Sequence, residues 1–336
     1  DVNIGGGHFG HPPRGYFSPY HIPSLSDGPP GEYLGERLSD EAVRLIDRRD
    51  PARPFFLHYA DYNVHTPLHA NPRRIAAARA KVGALPPSPP PIPERSMLSR
   101  ARQDHPEYHS MVAAVDDAVG RLMERLDNLG LASHTIVVVT SDNGGLCTSR
   151  SPGPTSNLPL RAGKGWLYEG GIRVPLIIRA PGITRPGTVC ESPAITMDLL
   201  PTLLELAGLP PRPDLHCDGI SLVPALRGAP PPAERRLVWH YPHYHGSGWC
   251  PGAAIRLGDW KLIEFYEEDR VELYRLSDDP GEQRNLADLE PERASQLRRQ
   301  LAAWQREFHA RMPEPNPDWR SDATTAAPRE QPRRKR

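Results

Sequence analysis

Thr135-Ile136-Val137-Val138-Val139-Thr140, running into Ser141-Asp142-Asn143-Gly144-Gly145, is the stretch whose reading decides the fold class. The first six residues form a continuous β-branched run, which predicts a strand buried on both faces of a parallel sheet. The polar segment from Ser141 to Gly145 then falls at the carboxyl end of that strand, where open α/β sheets bind their ligands. Before it, Met111, Val115, Val119, Leu122, Leu126 and Leu129 step by three or four residues. That spacing predicts an amphipathic helix stopped by Gly130. After it, a glycine-rich loop leads into a further strand, Val174-Pro-Leu-Ile-Ile-Arg179, and a helix over about 196–207.

Further out, Leu34, Leu38, Ala42, Leu45 and Ile46 keep helical spacing, and Pro54-Phe-Phe-Leu-His-Tyr59 reads as a buried strand. Strand and helix alternate to about residue 210. Beyond that, short β-like pieces at 237–240, 254–256, 260–265 and 272–275 are separated by turn signals such as Gly258-Asp259 and Asp279-Pro280-Gly281. They predict a small antiparallel sheet. A last helix from about Pro291 places Leu297, Leu301, Trp304 and Phe308 on one stripe. The expected organisation is a main domain over 1–230, a small sheet plus helix over 231–312, and a disordered basic tail over 313–336. The main domain opens on irregular surface chain and is interrupted by a proline-rich loop, LPPSPPPIP, at 85–93.

Composition excludes several classes. Lys plus Arg and Asp plus Glu are both 41, so no global field draws in nucleic acid, and no nucleic-acid partner is expected. Mean hydropathy is −0.56 and no apolar run nears the roughly 18–20 residues of a membrane helix, so no span is expected. The 41 prolines rule out an all-helical bundle. Cys147, Cys190, Cys217 and Cys250 form no CxxC pair, which removes a zinc ribbon or redox motif and leaves one or two disulfides open. No Met stands at position 1 and no charged-then-apolar leader follows, so no signal peptide is expected in this chain.

Three constellations carry chemistry. Asp142 and Asn143 supply hard oxygen ligands of the kind calcium or magnesium prefers, although a turn uses the same residues. Lys164, between two glycines, presents an ammonium on open backbone, suited to an anionic oxygen. His65, in Tyr62-Asn-Val-His-Thr-Pro67, follows a predicted strand and so belongs at another carboxyl end. Separately, His240, His243 and His245 lie within six positions, a spacing compatible with zinc.

The segments PFFLHYADYNVHTPL (54–68), VVTSDNGG (138–145), TSNLPLRAGKGWLYEGGIRVPLIIRAPG (155–182), DLLPTLLELAG (198–208), DGISLVPAL (218–226) and GDWKLIEFYEEDRVELYRLSDDPGEQRNLA (258–287) resemble the sulfatase family. The likeness is to the arylsulfatase and N-acetylgalactosamine-6-sulfatase type and runs in order from Asp1 to about Ala287. It implies an α/β fold: an alkaline-phosphatase-like sandwich with a mainly parallel central sheet, incomplete at its amino terminus, plus a small carboxyl-terminal antiparallel α+β subdomain. The activity it implies is calcium-dependent hydrolysis of a sulfate ester, on a sulfated sugar or an aryl sulfate, in a periplasmic or secreted setting.

By the same resemblance Asp142 and Asn143 match one pair of calcium ligands. His65 and Lys164 match the histidine and lysine that hold the sulfate and assist departure of the alcohol. Glu169, Gly170, Gly171 and Arg173 scaffold the Lys164 loop, and His240 and His243 stand at the substrate rim, which competes with the zinc reading. His8 and His11 are loop residues. The family also carries an aspartate pair, a C/S-x-P-x-R motif oxidised to formylglycine and a GKWHLG-like segment, none of which occurs here. The four cysteines are followed two residues on by Ser149, Ser192, Gly219 and Gly252 instead of proline. The expectation is therefore half a calcium site, no formylglycine, and a fragment or truncated gene product whose activity belongs to a longer parent. Two alternatives are an inactive sulfatase-like polypeptide and a phosphate or phosphonate ester hydrolase of the same superfamily, which would use more His and Asp metal ligands.

Overall fold

Helix α1 (Leu34–Asp47) buries Leu34, Leu38, Ala42 and Ile46, one residue per turn, and links Arg37 to Glu41 at 2.8 Å on its other side. The computed structural model describes residues 15–215, 218–230, 232 and 235–318. Helix α2 (Ile75–Gly83) is followed by a proline-rich loop exposed throughout 85–93, whose last residues belong to a short strand, β1 (Ile92–Glu94). Strand β1 pairs with β2 (Met97–Ser99). Helix α3 (Pro106–Asn128) has the proline in its first turn and a His105 side chain accepting from the Tyr108 N–H. It ends before Gly130, whose φ of +67° suits glycine.

Strand β3 (Val137–Thr140) pairs with β5 (Leu176–Arg179), while β4 (Thr148–Ser149) joins β2 and a single turn, α4 (Glu169–Ile172), lies between. The helix expected over 196–207 forms as a 3₁₀ turn continued by α5 (Leu199–Leu206), after which α6 (Val223–Leu226) is one turn long. Four strands then make an antiparallel sheet in the order β6 (Arg236–Tyr241), β7 (Gly252–Leu257), β8 (Trp260–Phe265) and β9 (Arg270–Arg275). Helix α7 (Pro291–Glu307) closes the described chain.

Side-chain alternation places the four-stranded sheet between two layers. Ala253, Ile255, Leu262 and Leu273 face Ala294, Leu297 and Leu301 of α7, each buried leucine contributing roughly 1.5–3 kcal/mol. Ala254, Ile263, Phe265 and Tyr274 face Trp166, Leu167 and Tyr168 of the Lys164 loop. One core therefore joins residues on both sides of position 230.

Several expectations are corrected. Strand β3 runs antiparallel to β5, and among the described residues every strand pair is antiparallel, so the mainly parallel sheet is not what these residues form. Its valines are half-buried. A β-branched run records strand propensity, but pairing direction depends on the strand that comes alongside. Pro54–Tyr59 has no regular secondary structure and joins no strand among the described residues, and Phe56 is 82% exposed. Apolar content makes a segment ready to pair and cannot supply the neighbour. On α7, Trp304 is half-buried and Phe308 exposed, both outside the buried cluster that Leu301 closes. Cys147, Cys190 and Cys250 are free thiols. His8, His11, Cys217 and most of the expected tail lie outside the described residues. No helix among the described residues is long and apolar enough to cross a membrane.

Candidate functional site

The Asp142 loop and the Lys164 loop are stitched together by their backbones. The Gly144 N–H donates to Gly171 O at 2.9 Å and the Lys164 N–H to Gly145 O at 3.1 Å. The approach is too close for side chains: a Cβ on Gly144 would lie 1.8 Å from Gly170 O, and one on Gly163 2.2 Å from Gly145 O. Asn157 clips the two loops, since its amide oxygen accepts from the Gly145 N–H at 3.2 Å. Its Nδ2 donates to Gly145 O at 2.8 Å and to Ala162 O at 3.0 Å. Asn157 lies inside the glycine-rich stretch, and nothing in its spacing marked it out. The result is one open cavity whose wall includes Asp142, Asn143 and Lys164.

The Lys164 loop is in turn anchored to the four-stranded sheet. Arg161 forms a two-pronged ion pair with Glu94, both distances 2.8 Å, and its guanidinium lies 3.9 Å above the Tyr168 ring. Glu169 is buried, and Lys261 of β8, itself fully buried, reaches Glu169 at 2.9 Å and Glu282 at 2.8 Å. The Glu282 carboxylate also accepts the Glu169 N–H at 2.6 Å. Burial pushes the Glu169 carboxyl up, but Lys261, with Arg256 and Arg173, more than offsets this and holds it below its ordinary value. For Glu282 burial wins over Lys261, and its pKa rises to about 7. Arg173 is half-exposed and stands 3.9 Å from Glu169.

Among the described residues no group of three or more His, Cys, Asp or Glu side chains is arranged to hold a metal ion, which removes the zinc reading of His240, His243 and His245. For calcium the donors fit in kind. The Asp142 carboxylate is exposed and, among the described residues, in no ion pair. Its Oδ1 orders the loop by accepting the Asn143 N–H at 2.9 Å. Two side chains supply only part of the six to eight oxygens calcium takes. For formylglycine nothing fits, because Cys147 and Cys250 are buried and no described cysteine stands in the required motif. Burial pushes the Cys147 thiol up, away from thiolate chemistry.

His65 does not line that cavity. It is exposed on a turn held by Tyr16, whose hydroxyl donates to Tyr62 O at 2.6 Å and His65 O at 2.9 Å. Its Nδ1 lies 2.9 Å from Thr66 O, a carbonyl that can only accept, so this contact calls for the proton on Nδ1. Nor are His240 and His243 at the cavity. His240 engages the Tyr266 hydroxyl at 2.8 Å through Nδ1 and Arg311 O at 3.0 Å through Nε2, which spends both nitrogens on structure. His243 is exposed against the edge of Tyr241. The histidine that does line the cavity is His245. Among three imidazoles at similar spacing, only the turn geometry separates it from its neighbours.

Fold and site together define a class, and the chain belongs to the sulfatase family: residues 7–209 match the family model described as Sulfatase. Residues 162–307 match a second, described as N-sulphoglucosamine sulphohydrolase, C-terminal. A "Sulfatase" of Formosa agariphila is 34% identical over 306 residues, covering 84% of this chain and 52% of the relative. Arylsulfatase A of Homo sapiens is 33% identical, covering 72% of this chain and 46% of the relative. The chain thus spans about half the length of the curated relatives it matches. Among solved structures, Ps i-CgsB in complex with k-i-k-neocarrahexaose superposes with a TM-score of 0.66 at 28% identity, covering 83% of this chain and 56% of that one.

Proposed function

We propose that this chain carries one side of the catalytic site of a sulfuric ester hydrolase, with Lys164 and His65 on the sulfate and Asp142 and Asn143 on calcium. The observation that supports it most is the stitched pair of loops, which sets a lysine ammonium and an Asp-Asn pair on one cavity wall. As the S–O bond of a sulfate monoester breaks, negative charge gathers on the bridging oxygen, and donors fixed around it stabilise the transition state. Lys164 supplies such a charge from a loop that cannot shift without breaking the glycine contacts. His65 lies outside the lining of that cavity, so its assignment to the departing alcohol rests on the family resemblance; with Nδ1 committed to Thr66 O, it gives or takes a proton at Nε2. Calcium held by Asp142 and Asn143 would neutralise charge on the non-bridging sulfate oxygens. No attacking group is assigned among these residues. The substrate is assigned to sulfated carbohydrates or aryl sulfates and the setting to the periplasm or outside the cell, in line with the named relatives and the family.

Calorimetric titration of the full chain with inorganic sulfate tests this reading. Lys164→Ala should weaken sulfate binding by about tenfold, a loss of about 1.4 kcal/mol, without changing the melting temperature. Unchanged affinity in that variant overturns the assignment of Lys164. Hydrolysis of p-nitrophenyl sulfate by this chain should not exceed that of a heat-killed control.

A further inference from the structure

A second cavity, of about 430 Å³, opens between the end of α2, the start of the proline-rich loop, the first turn of α3 and the 156–158 segment. It has no lining residue in common with the cavity of Asp142 and Lys164. Lys81, Arg102 and His109 bring basic groups to its wall from α2, a loop and α3, while Val82, Leu85 and Leu158 supply an apolar side. Among the described residues Lys81, which is exposed, is in no ion pair, and neither ring nitrogen of the half-buried His109 has a partner. Arg102 is held in place, its Nε 3.3 Å from Asp104 and its Nη2 donating to Pro86 O at 2.6 Å, which leaves Nη1 unspent among the described residues. Asp104 is itself saturated: Arg100 and Arg102 share it, and the Ser88 hydroxyl donates to it at 2.6 Å. Burial raises its pKa, but these three partners outweigh burial and hold it below its ordinary value. Two guanidinium groups on one carboxylate leave a positive charge over, and Lys81 adds another. Gln103 ties the wall together, its Nε2 donating to Ser156 O at 2.9 Å.

We propose that this cavity binds a small organic anion, its charged head taken up by Lys81, His109 and the free Nη1 of Arg102 and its apolar body by Val82, Leu85 and Leu158. The volume lies within the roughly 300–1,000 Å³ of small-molecule sites, so the occupant is a molecule of that scale. The surplus of positive charge selects an anion, and hydrogen bonds to an ionised group are the strong ones. The apolar side gives nothing to a bare inorganic ion but stabilises a ligand that carries carbon against it. Because the two cavities share no residue, the inference stands independently of what binds at Lys164.

The test titrates the full chain with benzoate, benzamide and acetate, followed by ¹H–¹⁵N NMR of the backbone and the histidine rings. Benzoate has both head and body, benzamide keeps the shape without the charge, and acetate keeps the charge without the ring. Benzoate should bind about tenfold more tightly than either and shift the signals of His109 and of residues 156–158. Lys81→Met, at an exposed side chain, should keep the wild-type melting temperature and weaken benzoate by about three- to tenfold, and Lys81→Arg should restore the affinity. Lys164→Ala should bind benzoate as the wild type does. Absence of benzoate binding, equal binding of benzamide or of acetate, shifts centred on the Lys164 loop, or an unchanged affinity in Lys81→Met overturns the proposal.

Discussion

Lys261 lies wholly buried between two carboxylates, and its sequence neighbourhood, Trp260-Lys-Leu-Ile-Glu-Phe265, reads as an ordinary half-exposed strand. Alternation says which side chains share a face. It does not say that the second face will be covered by Trp166, Tyr168 and Glu169. Removing the ammonium leaves Glu282 buried without its cation and Glu169 with only Arg173 and Arg256, each 3.9 Å away, so Lys261→Met should cost about 3–5 kcal/mol in urea unfolding. Glu282 sets a pH dependence of definite sign. Its folded pKa of about 7 lies above its ordinary 4.5, so between those values the folded state keeps a proton that the unfolded state releases. The stability it contributes is full below about 4.5 and is lost as pH rises to about 7. Glu169, held below its ordinary value, acts only at lower pH. Urea midpoints measured from pH 4.5 to 7.5 should fall in the wild type and flatten in Glu282→Gln. Parallel curves for the two proteins would show that Glu282 is not the titrating group.

At the scale of elements, spacing located most helices and strands and failed on their partners. The stripe on α7 was legible from Leu297 to Phe308, yet the sheet covers only its first half. Leu301→Ala should therefore cost about 2–5 kcal/mol of stability, whereas Phe308→Ala, at a side chain already 48% exposed, should stay within about 0.5 kcal/mol. Comparable losses in the two variants, read from denaturant midpoints, would mean that α7 packs along its whole length. The valines of β3 identified a strand, but its antiparallel pairing with β5 is decided by the intervening chain, which folds the Lys164 loop and α4 back over the Asp142 loop. Pro54–Tyr59 shows the limit from the other side. Its apolar run is strand-like, and among the described residues no strand lies beside it.

For the whole molecule, exposure and hydrogen bonding predict where the chain opens first. Residues 85–91 and 312–318 are exposed and belong to no helix or strand, whereas 135–180 carries the stitched loops and much of the larger core. Limited digestion with a broad-specificity protease should cut the first two regions before any site within 135–180, as mass spectrometry of early fragments would show. Early cuts inside 135–180 would mean that the loops are not stitched in solution. By itself the sequence determined the family and most element positions and put forward Asp142, Asn143 and Lys164 as candidates, because hydrophobic period and contiguous motifs are local properties of the chain. Only the tertiary structure decided that Asn157 clips the loops, that Lys261 and Glu282 anchor them from the far sheet, and that His245, not His240 or His243, faces the cavity. Those choices depend on contacts between residues as far as 113 positions apart, and the spacing of residue types along a chain holds no record of which distant groups will meet.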